Sequence, residues 1–240
     1  KLHRRPDTYQ EVIDTGSYAF SMSDYLATGR VTVFSYGAAV GQAVQWDKVS
    51  DLKTLGGGVA SKDAQVFIDN HDTQRHGSTS IVTHVKRTDY ALANVIMLGW
   101  DYGTPVVMSS FDAPANSPLV AEDMGPPALD AKGTTKDTVC GSDGWVCEHA
   151  WPAIAGMVAF HNDARGASVD KWWDDGNNTI AWARGDRGFV IVANGDAVPS
   201  RSWQTGMPAG TYCDIISGGL VAGACVGQRV DVDASGTFTT

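Results

Sequence analysis

Two carboxylic acids, Glu11 and Asp72, have the residue type and the setting that acid–base chemistry on a sugar requires. Glu11 lies in the apolar run 9–13, and Asp72 ends the polar cluster 69–72 that follows the apolar run 64–68. A retaining glycosidase needs one carboxylic acid that protonates the leaving oxygen and one carboxylate that attacks the anomeric carbon. Asp, Asn and His after a strand are also ordinary turn formers, so either site taken alone is more simply explained as structural.

Strand and helix patterns alternate around these two acids. The strands are apolar on both faces, as buried parallel strands are, and polar residues collect just past their ends. Alternation of this kind is typical of a parallel α/β sheet, and in a (β/α)8 barrel the chemistry lies at those strand ends. We expect Thr88 to cap a helix. The predicted strands are 9–13, 31–36, 64–68 and 104–109, and the predicted helices are 38–52, 88–100 and 150–162.

The pattern changes after residue 165, where short runs of β-type residues alternate with turn signals. Asp175-Gly176-Asn177 and Gly185-Asp186-Arg187-Gly188 are candidates for tight hairpin turns. We therefore predict a small antiparallel β-sandwich over residues 166–240. The segment 111–149 before this boundary is rich in Pro, Gly, Asp and Ser, and loops of that length are usually functional.

Four cysteines form two close pairs, Cys140 with Cys147 and Cys213 with Cys225. Three pairings are possible, and loop-closure entropy favours the two local ones. A zinc site from Cys140, Cys147 and His149 is the alternative, although no C-x-x-C spacing supports it. Disulfides would indicate an oxidising compartment.

Composition and charge exclude several classes of function. The 240 residues are 43% hydrophobic, enough for a sizeable core. The formal net charge of −9 would repel a nucleic acid, so none is expected as a partner. No apolar run approaches the roughly 18 residues that a membrane span needs, and no membrane association is expected.

The run Phe67-Ile68-Asp69-Asn70-His71-Asp72 resembles the F-x-x-N-H-D motif of the α-amylase family of glycoside hydrolases, family 13. Residues 72–75 extend the similarity toward the animal-type and actinobacterial members. Other segments resemble further parts of the family in the family's order: residues 10–14 the fifth-strand motif, 103–110 the eighth-strand segment, 145–149 the start of the last barrel helix, and 172–174 with 184–189 the start of the C-terminal β-domain.

The resemblance covers nearly the whole chain and implies both a fold and a reaction. Residues 1–165 would be the second half of the catalytic (β/α)8, or TIM, barrel, with strands five to eight, and residues 166–240 the C-terminal β-sandwich domain, truncated at its end. The parent enzyme would be a secreted, extracellular monomer. It would hydrolyse internal α-1,4-glucosidic bonds of starch and maltooligosaccharides with retention of configuration.

The resemblance also implies a role for each matching residue. Glu11 matches the general acid/base, and Asp72 matches the third carboxylate, which orients the sugar and stabilises charge in the transition state. His71 matches the histidine that hydrogen-bonds the sugar hydroxyls, and His76 resembles a substrate-contacting loop histidine. The local disulfides Cys140–Cys147 and Cys213–Cys225 match the family pattern.

Two expectations concern what this chain lacks. No G-x-R-x-D motif for the nucleophilic Asp is present, and we expect it, with the family's calcium ligands, upstream of Lys1. Chloride-dependent members use the Asn that matches Asn70 and a basic residue at the position of Val106. Because a neutral aliphatic side chain cannot hold an anion, we expect no chloride requirement.

Two further hypotheses remain open at this point. A chain without the nucleophile segment could be a non-catalytic starch-binding or structural piece, and a family member could also be a transglycosylase. Sugars stack on aromatic faces, for which Trp46, Trp100, Tyr102 and Trp145 are candidates.

Overall fold

A four-stranded parallel sheet organises the first part of the chain. The computed structural model describes residues 8–11, 21–111, 129–142, 144–195 and 197–240, with only the backbone of His76. The strands pair in chain order, each parallel to the next. They are β1 (Tyr9–Gln10), β2 (Arg30–Thr32), β3 (Ala64–Val66) and β4 (Thr104–Pro105).

Helices follow the strands in the order that a parallel sheet requires. The helices are α1 (Phe34–Gln45), the single turn α2 (Thr73–His76), α3 (Arg87–Gly99) and α4 (Pro152–Asp163). Among the described residues, α1 packs against α3 and α3 against α4, and α1 also contacts β3 of the sheet. Short 3-10 helices occupy Met22–Tyr25, Val49–Thr54, Ser61–Asp63 and Glu148–Ala150.

The register of β2 and β3 separates a core face from a cleft face. Val31 lies opposite Ala64, and both side chains are fully buried. Thr32 lies opposite Gln65 on the other face, where both residues line an open cleft. Because side chains alternate along a strand, one register fixes both the hydrophobic core and the polar lining of the cleft.

The predicted strand 31–36 is too long, because β2 ends at Thr32 and α1 begins at Phe34. Branched and aromatic residues favour a strand, but packing decides otherwise here. The Phe34 ring meets Phe67 edge-on with centroids 5.1 Å apart, and the buried Tyr36 stacks on Tyr102.

Two helix boundaries also differ from prediction. The helix predicted over 38–52 ends at Gln45, and Val49–Thr54 is a separate 3-10 helix. The predicted cap at Thr88 is wrong, because Lys86 holds the N-cap position of α3 and Thr88 lies inside its first turn. The predicted residues 12–14 of the first strand lie outside the described part of the chain.

Antiparallel strands replace the parallel ones after α4, so the fold class predicted from the sequence is confirmed. The strands are β5 (Val169–Asp174), β6 (Thr179–Arg184), β7 (Phe189–Ala193), β8 (Ser202–Gln204), β9 (Gly210–Cys213), β10 (Leu220–Val221), β11 (Ala224–Cys225), β12 (Arg229–Val232) and β13 (Thr237–Thr239). The turns at 175–177 and 185–188 join β5, β6 and β7 into a three-stranded sheet. The division at residue 165 stays a prediction, and the change of sheet type between α4 and β5 is compatible with it.

Two side chains of β6 connect the antiparallel part to the end of α3. Trp182 Nε1 donates to the carbonyl oxygen of Gly99 at 2.9 Å. The buried Arg184 satisfies carbonyl groups that a helix end leaves without partners. Its guanidinium donates to the carbonyl oxygens of Gly99, Trp100, Ala164 and Ala167, at 2.8 to 3.2 Å.

The two local cysteine pairs are disulfides, Cys140–Cys147 and Cys213–Cys225. The zinc alternative is therefore wrong, because Cys140 and Cys147 are bonded to each other. Among the residues that the structure describes, no three or more His, Cys, Asp or Glu side chains come together as a metal site. No helix in the same part of the chain is long and apolar enough to span a membrane.

Candidate active site

An open cleft of about 290 Å³ lies at the carboxyl ends of the parallel strands. The exposed Glu11 follows β1 directly, and residues 69–71 follow the end of β3. The sheet thus brings together two segments that are distant in the sequence. The described residues that line the cleft are Glu11, Thr32, Gln65, Phe67, Asp69, Asn70, His71, Val106 and Met108.

Asn70 shapes the turn that presents His71 and Asp72. Its Oδ1 accepts hydrogen bonds from the backbone N–H of Asp72 at 3.2 Å and of Thr73 at 2.8 Å. The hydroxyl of Thr73 adds a third at 2.9 Å, and the backbone N–H of Asn70 donates to that hydroxyl. An Asn side chain that closes a turn in this way fixes the backbone before α2. The neighbouring side chains can then point outward.

His71 and Asp72 are exposed and adjacent. Their side chains are 70% and 58% exposed, and His71 Nε2 lies 3.6 Å from Asp72 Oδ1. Arg75 Nη1 donates to the carbonyl oxygen of His71 at 3.0 Å, which ties α2 back onto the turn. Within the described residues, the lining of the cleft includes Glu11 and His71 but leaves out Asp72.

The other residues that the sequence predicted to contact the sugar are His76 and four aromatic residues, and they differ in exposure. His76 ends α2, and its side chain lies outside the described part. Trp100 is buried in the core, where its Nε1 donates to the carbonyl oxygen of Leu55. Tyr102 donates to the carbonyl oxygen of Val59, and Trp145 packs on Phe111. Trp46 is 59% exposed, and Lys86 lies over its ring.

A buried polar network beneath the cleft was not predicted from the sequence. Asp69 is 2% exposed, and its two carboxylate oxygens accept from Tyr90 OH at 2.8 Å and from Gln74 Nε2 at 2.9 Å. Burial raises the pKa of Asp69 to about 6, although the hydrogen bonds from Gln74 and Tyr90 oppose the shift. At neutral pH this carboxyl is therefore ionised and serves as an acceptor.

The same network continues to Glu148, which is fully buried. Gln74 Nε2 also donates to Ser110 Oγ at 2.6 Å, and Ser110 donates to Glu148 through both its hydroxyl and its backbone N–H. His84 Nδ1 lies 3.8 Å from Glu148 Oε1. The sequence offered one indication that Glu148 could be buried, because it directly follows a half-cystine and the apolar residues Trp145 and Val146.

Two glycines of α1 allow the helix to approach the segment that carries the turn. A Cβ at Gly37 would lie 2.4 Å from the carbonyl oxygen of Phe67, and one at Gly41 would lie 1.9 Å from that of Ser80. These contacts lie just before and just after the turn and α2. The strand predicted over 31–36 gave no indication of this packing role of Gly37.

The fold and the cleft define a class of protein: a segment of a (β/α)8 barrel with carboxylates at the strand ends, followed by a β-domain. Comparison with known proteins agrees. Residues 171–240 match the α-amylase C-terminal all-β domain. Pancreatic α-amylase of Rattus norvegicus is 45% identical in an alignment of 250 positions, which covers 97% of this chain and 49% of the relative. The α-amylase of Tenebrio molitor is 42% identical, with 97% and 50% covered.

Solved structures give the same result. One of them is a variant of α-amylase I from Eisenia fetida in complex with maltohexaose. This chain superposes on it with a TM-score of 0.84 and 38% identity, over 97% of this chain and 50% of that one. A γ-CGTase from alkalophilic Bacillus clarkii, 17% identical with a TM-score of 0.57 over 97% of this chain and 34% of that one, shares the fold. The chain belongs to the α-amylase family and spans about half the length of the relatives that it matches.

Proposed function

We propose that this chain supplies the general acid/base, Glu11, and the charge-stabilising carboxylate, Asp72, of an α-amylase that hydrolyses internal α-1,4-glucosidic bonds of starch. The observation that carries this proposal is the cleft at the strand ends, which Glu11 after β1 and His71 after β3 both line. A second support is the relation to α-amylases, one of them solved with maltohexaose.

In the first half of the reaction, Glu11 acts as an acid. Its carboxyl proton passes to the glycosidic oxygen while the bond from that oxygen to C1 breaks. A nucleophilic carboxylate, expected in the part of the relatives that this chain does not span, forms the new bond to C1. The second half reverses the roles, because Glu11, now ionised, removes a proton from water as that water attacks C1 and releases the nucleophile.

His71 and Asp72 bind the sugar rather than exchange protons in this scheme. An exposed His beside an exposed carboxylate, on a turn fixed by Asn70, offers a donor and an acceptor to adjacent sugar hydroxyls. The negative charge of Asp72 would favour the positive charge that develops on the ring in the transition state. His76, the last residue of α2, is proposed as a further contact with the substrate.

The rest of the biological setting is proposed on the same basis. The substrates are starch and maltooligosaccharides, and the whole enzyme is a monomer. Two disulfides suit an oxidising environment, which supports secretion.

Calcium is proposed as a structural ion held by other parts of the whole protein. The described residues contain no group of metal-binding side chains to which it could be assigned. No step of the chemistry above depends on it.

Chloride is not required in this proposal. Val106, which lines the same cleft, has an aliphatic side chain that offers no hydrogen-bond donor or positive charge to an anion. We expect starch hydrolysis by the whole enzyme to change by less than about twofold when chloride replaces nitrate or acetate. A several-fold rise would contradict this expectation.

The test measures reducing-sugar release from soluble starch by this chain alone and by a protein with the upstream half restored. We expect activity only in the restored protein, and its loss on Glu11→Gln. Activity of the chain alone would mean that a carboxylate present here is the nucleophile, so that the roles above are wrong. Starch binding without hydrolysis by the restored protein would favour the non-catalytic alternative.

A further inference from the structure

Beneath the cleft, a chain of hydrogen bonds leads from the disulfide-closed loop to the base of the turn that bears His71 and Asp72. It starts at Glu148, the first residue of the 3-10 helix Glu148–Ala150, and passes through Ser110 and Gln74 to Asp69. Glu148 and Ser110 are fully buried, and Asp69 is 2% exposed. Water therefore cannot replace these hydrogen bonds at low cost when one is lost.

The donors and acceptors of the network allow a single arrangement. The two hydrogens of the Gln74 amide go to Asp69 Oδ2 and to Ser110 Oγ, so the Ser110 hydroxyl hydrogen is directed to Glu148 Oε1. The backbone N–H of Ser110 occupies Glu148 Oε2 at 2.7 Å. A change of one acceptor into a donor at Glu148 would therefore require Ser110 and then Gln74 to reorient.

Glu148 is itself held from three sides. Cys147 is bonded to Cys140 and has a left-handed backbone conformation, with φ of 54°. The backbone N–H of Val146 donates to the carbonyl oxygen of Ser110 at 3.0 Å. On the other side, the 3-10 helix continues at once into α4. The Glu148 carboxylate thus occupies a fixed position, against which α2 and the turn before it can be held.

We propose that Glu148 is a positioning residue for the reaction: through Ser110 and Gln74 it holds α2 and the turn before it, and thereby sets the places of His71 and Asp72. This inference rests on the proposed function, in which those two residues bind the sugar. Gln74 belongs to α2, which follows Asp72 directly, so a shift of its amide moves the turn. Displacements of about 1 Å in a catalytic group can cost on the order of 100-fold in rate.

A purely structural role for Glu148 predicts a different outcome. In that case its loss would lower stability as any buried polar deletion does, and the rate of the folded enzyme would stay the same. The control for this is Thr205→Val, since Thr205 is likewise buried, at 1% exposed, and its hydroxyl donates to the carbonyl oxygen of Gly236 in the β-domain.

The experiment compares kcat and KM on starch for the protein with the upstream half restored, as wild type, Glu148→Gln, Ser110→Ala and Thr205→Val. All are assayed well below their melting temperatures. We expect kcat of Glu148→Gln to fall roughly 10- to 100-fold with KM changed less than about threefold, and Thr205→Val to keep the wild-type kcat. Ser110→Ala, which removes one hydroxyl, serves if Glu148→Gln does not fold.

The double variant Glu148→Gln with Ser110→Ala separates a connected network from two independent defects. If the residues act in series, the second substitution adds little to the loss of kcat caused by the first. A wild-type kcat in folded Glu148→Gln and Ser110→Ala, or an equal loss in Thr205→Val, would overturn the proposal. If the restored wild type loses its activity on Glu11→Gln but keeps it on Glu148→Gln, the proposed function stands and this inference fails. An inactive wild type overturns both.

Discussion

Two pairs of carboxylates in this molecule lie in opposite surroundings. Glu11 and Asp72 are exposed at the carboxyl ends of parallel strands. Asp69 and Glu148 are buried, and all four of their carboxylate oxygens accept hydrogen bonds. The difference indicates a division of labour. A group that must exchange a proton or meet a substrate has to be accessible, and a group that fixes geometry has to have its partners satisfied.

Among the substitutions that test this comparison, we expect the largest loss of activity from a change in the exposed pair. Asp72→Asn removes the charge that would stabilise the transition state, so kcat/KM on starch should fall roughly 10²- to 10³-fold in the enzyme with both halves. Because the side chain is 58% exposed, the melting temperature should barely change. Asp186→Asn is the matched control, since its carboxylate is 71% exposed on the hairpin between β6 and β7. A comparable loss of activity in the control would contradict the assignment.

Of the buried pair, Asp69 should affect the pH dependence of stability. Burial raises the pKa of Asp69 to about 6 from an ordinary value of 3.8. Between these values the folded chain holds a proton that the unfolded chain has released. Folding is therefore favoured below pH 4, and this contribution, about 3 kcal/mol, is lost as the pH rises through 6.

Asp69→Asn lacks that titration and provides the comparison. We expect the unfolding free energy of the wild type, measured in urea and expressed relative to Asp69→Asn, to fall by roughly 2 kcal/mol between pH 4 and pH 7. A difference that stays constant across this range would show that the folded carboxyl titrates like an exposed one.

A smaller loss of stability should follow from adding a side chain at a glycine of α1, where the helix lies close to the neighbouring segment. At Gly41 a Cβ would lie 1.9 Å from the carbonyl oxygen of Ser80, so Gly41→Ala must displace the segment after α2 or tilt the helix. We expect a loss of about 1–3 kcal/mol in unfolding free energy despite the better helix propensity of Ala. The control on the same helix is Ser35→Ala, at an exposed position, which should change stability by a few tenths of a kcal/mol. Equal stability of Gly41→Ala and wild type would contradict the close approach.

Sequence patterns predicted the elements whose signals are local. The parallel strands, the hairpin turns of the β-domain and the close pairing of cysteines all depend on residues near one another in the chain. The motif around Asp72 likewise predicted the turn after β3. The strand predicted over 31–36 shows where local patterns fail. Phe34 and Tyr36 are helical, and their rings pack on Phe67 and Tyr102, which are distant in the sequence.

The buried network could not be predicted in the same way. Gln74, Ser110 and Glu148 are brought together only by the folded chain, and each residue type alone is common on protein surfaces. Nothing in the spacing of these residues indicates that Glu148 is fully buried. Long-range packing therefore decided which of the many carboxylates are exposed and which are enclosed.

The measurement that tests the central claim most directly compares two substrates for Glu11→Gln in the enzyme with both halves. Starch has a poor leaving group that needs a proton, and a dinitrophenyl maltoside has one that leaves without it. If Glu11 is the general acid, starch hydrolysis falls roughly 10²- to 10⁴-fold, while the release of dinitrophenol falls less than about 10-fold. Equal losses on both substrates would contradict the role of Glu11 as the acid and would leave it only a part in binding.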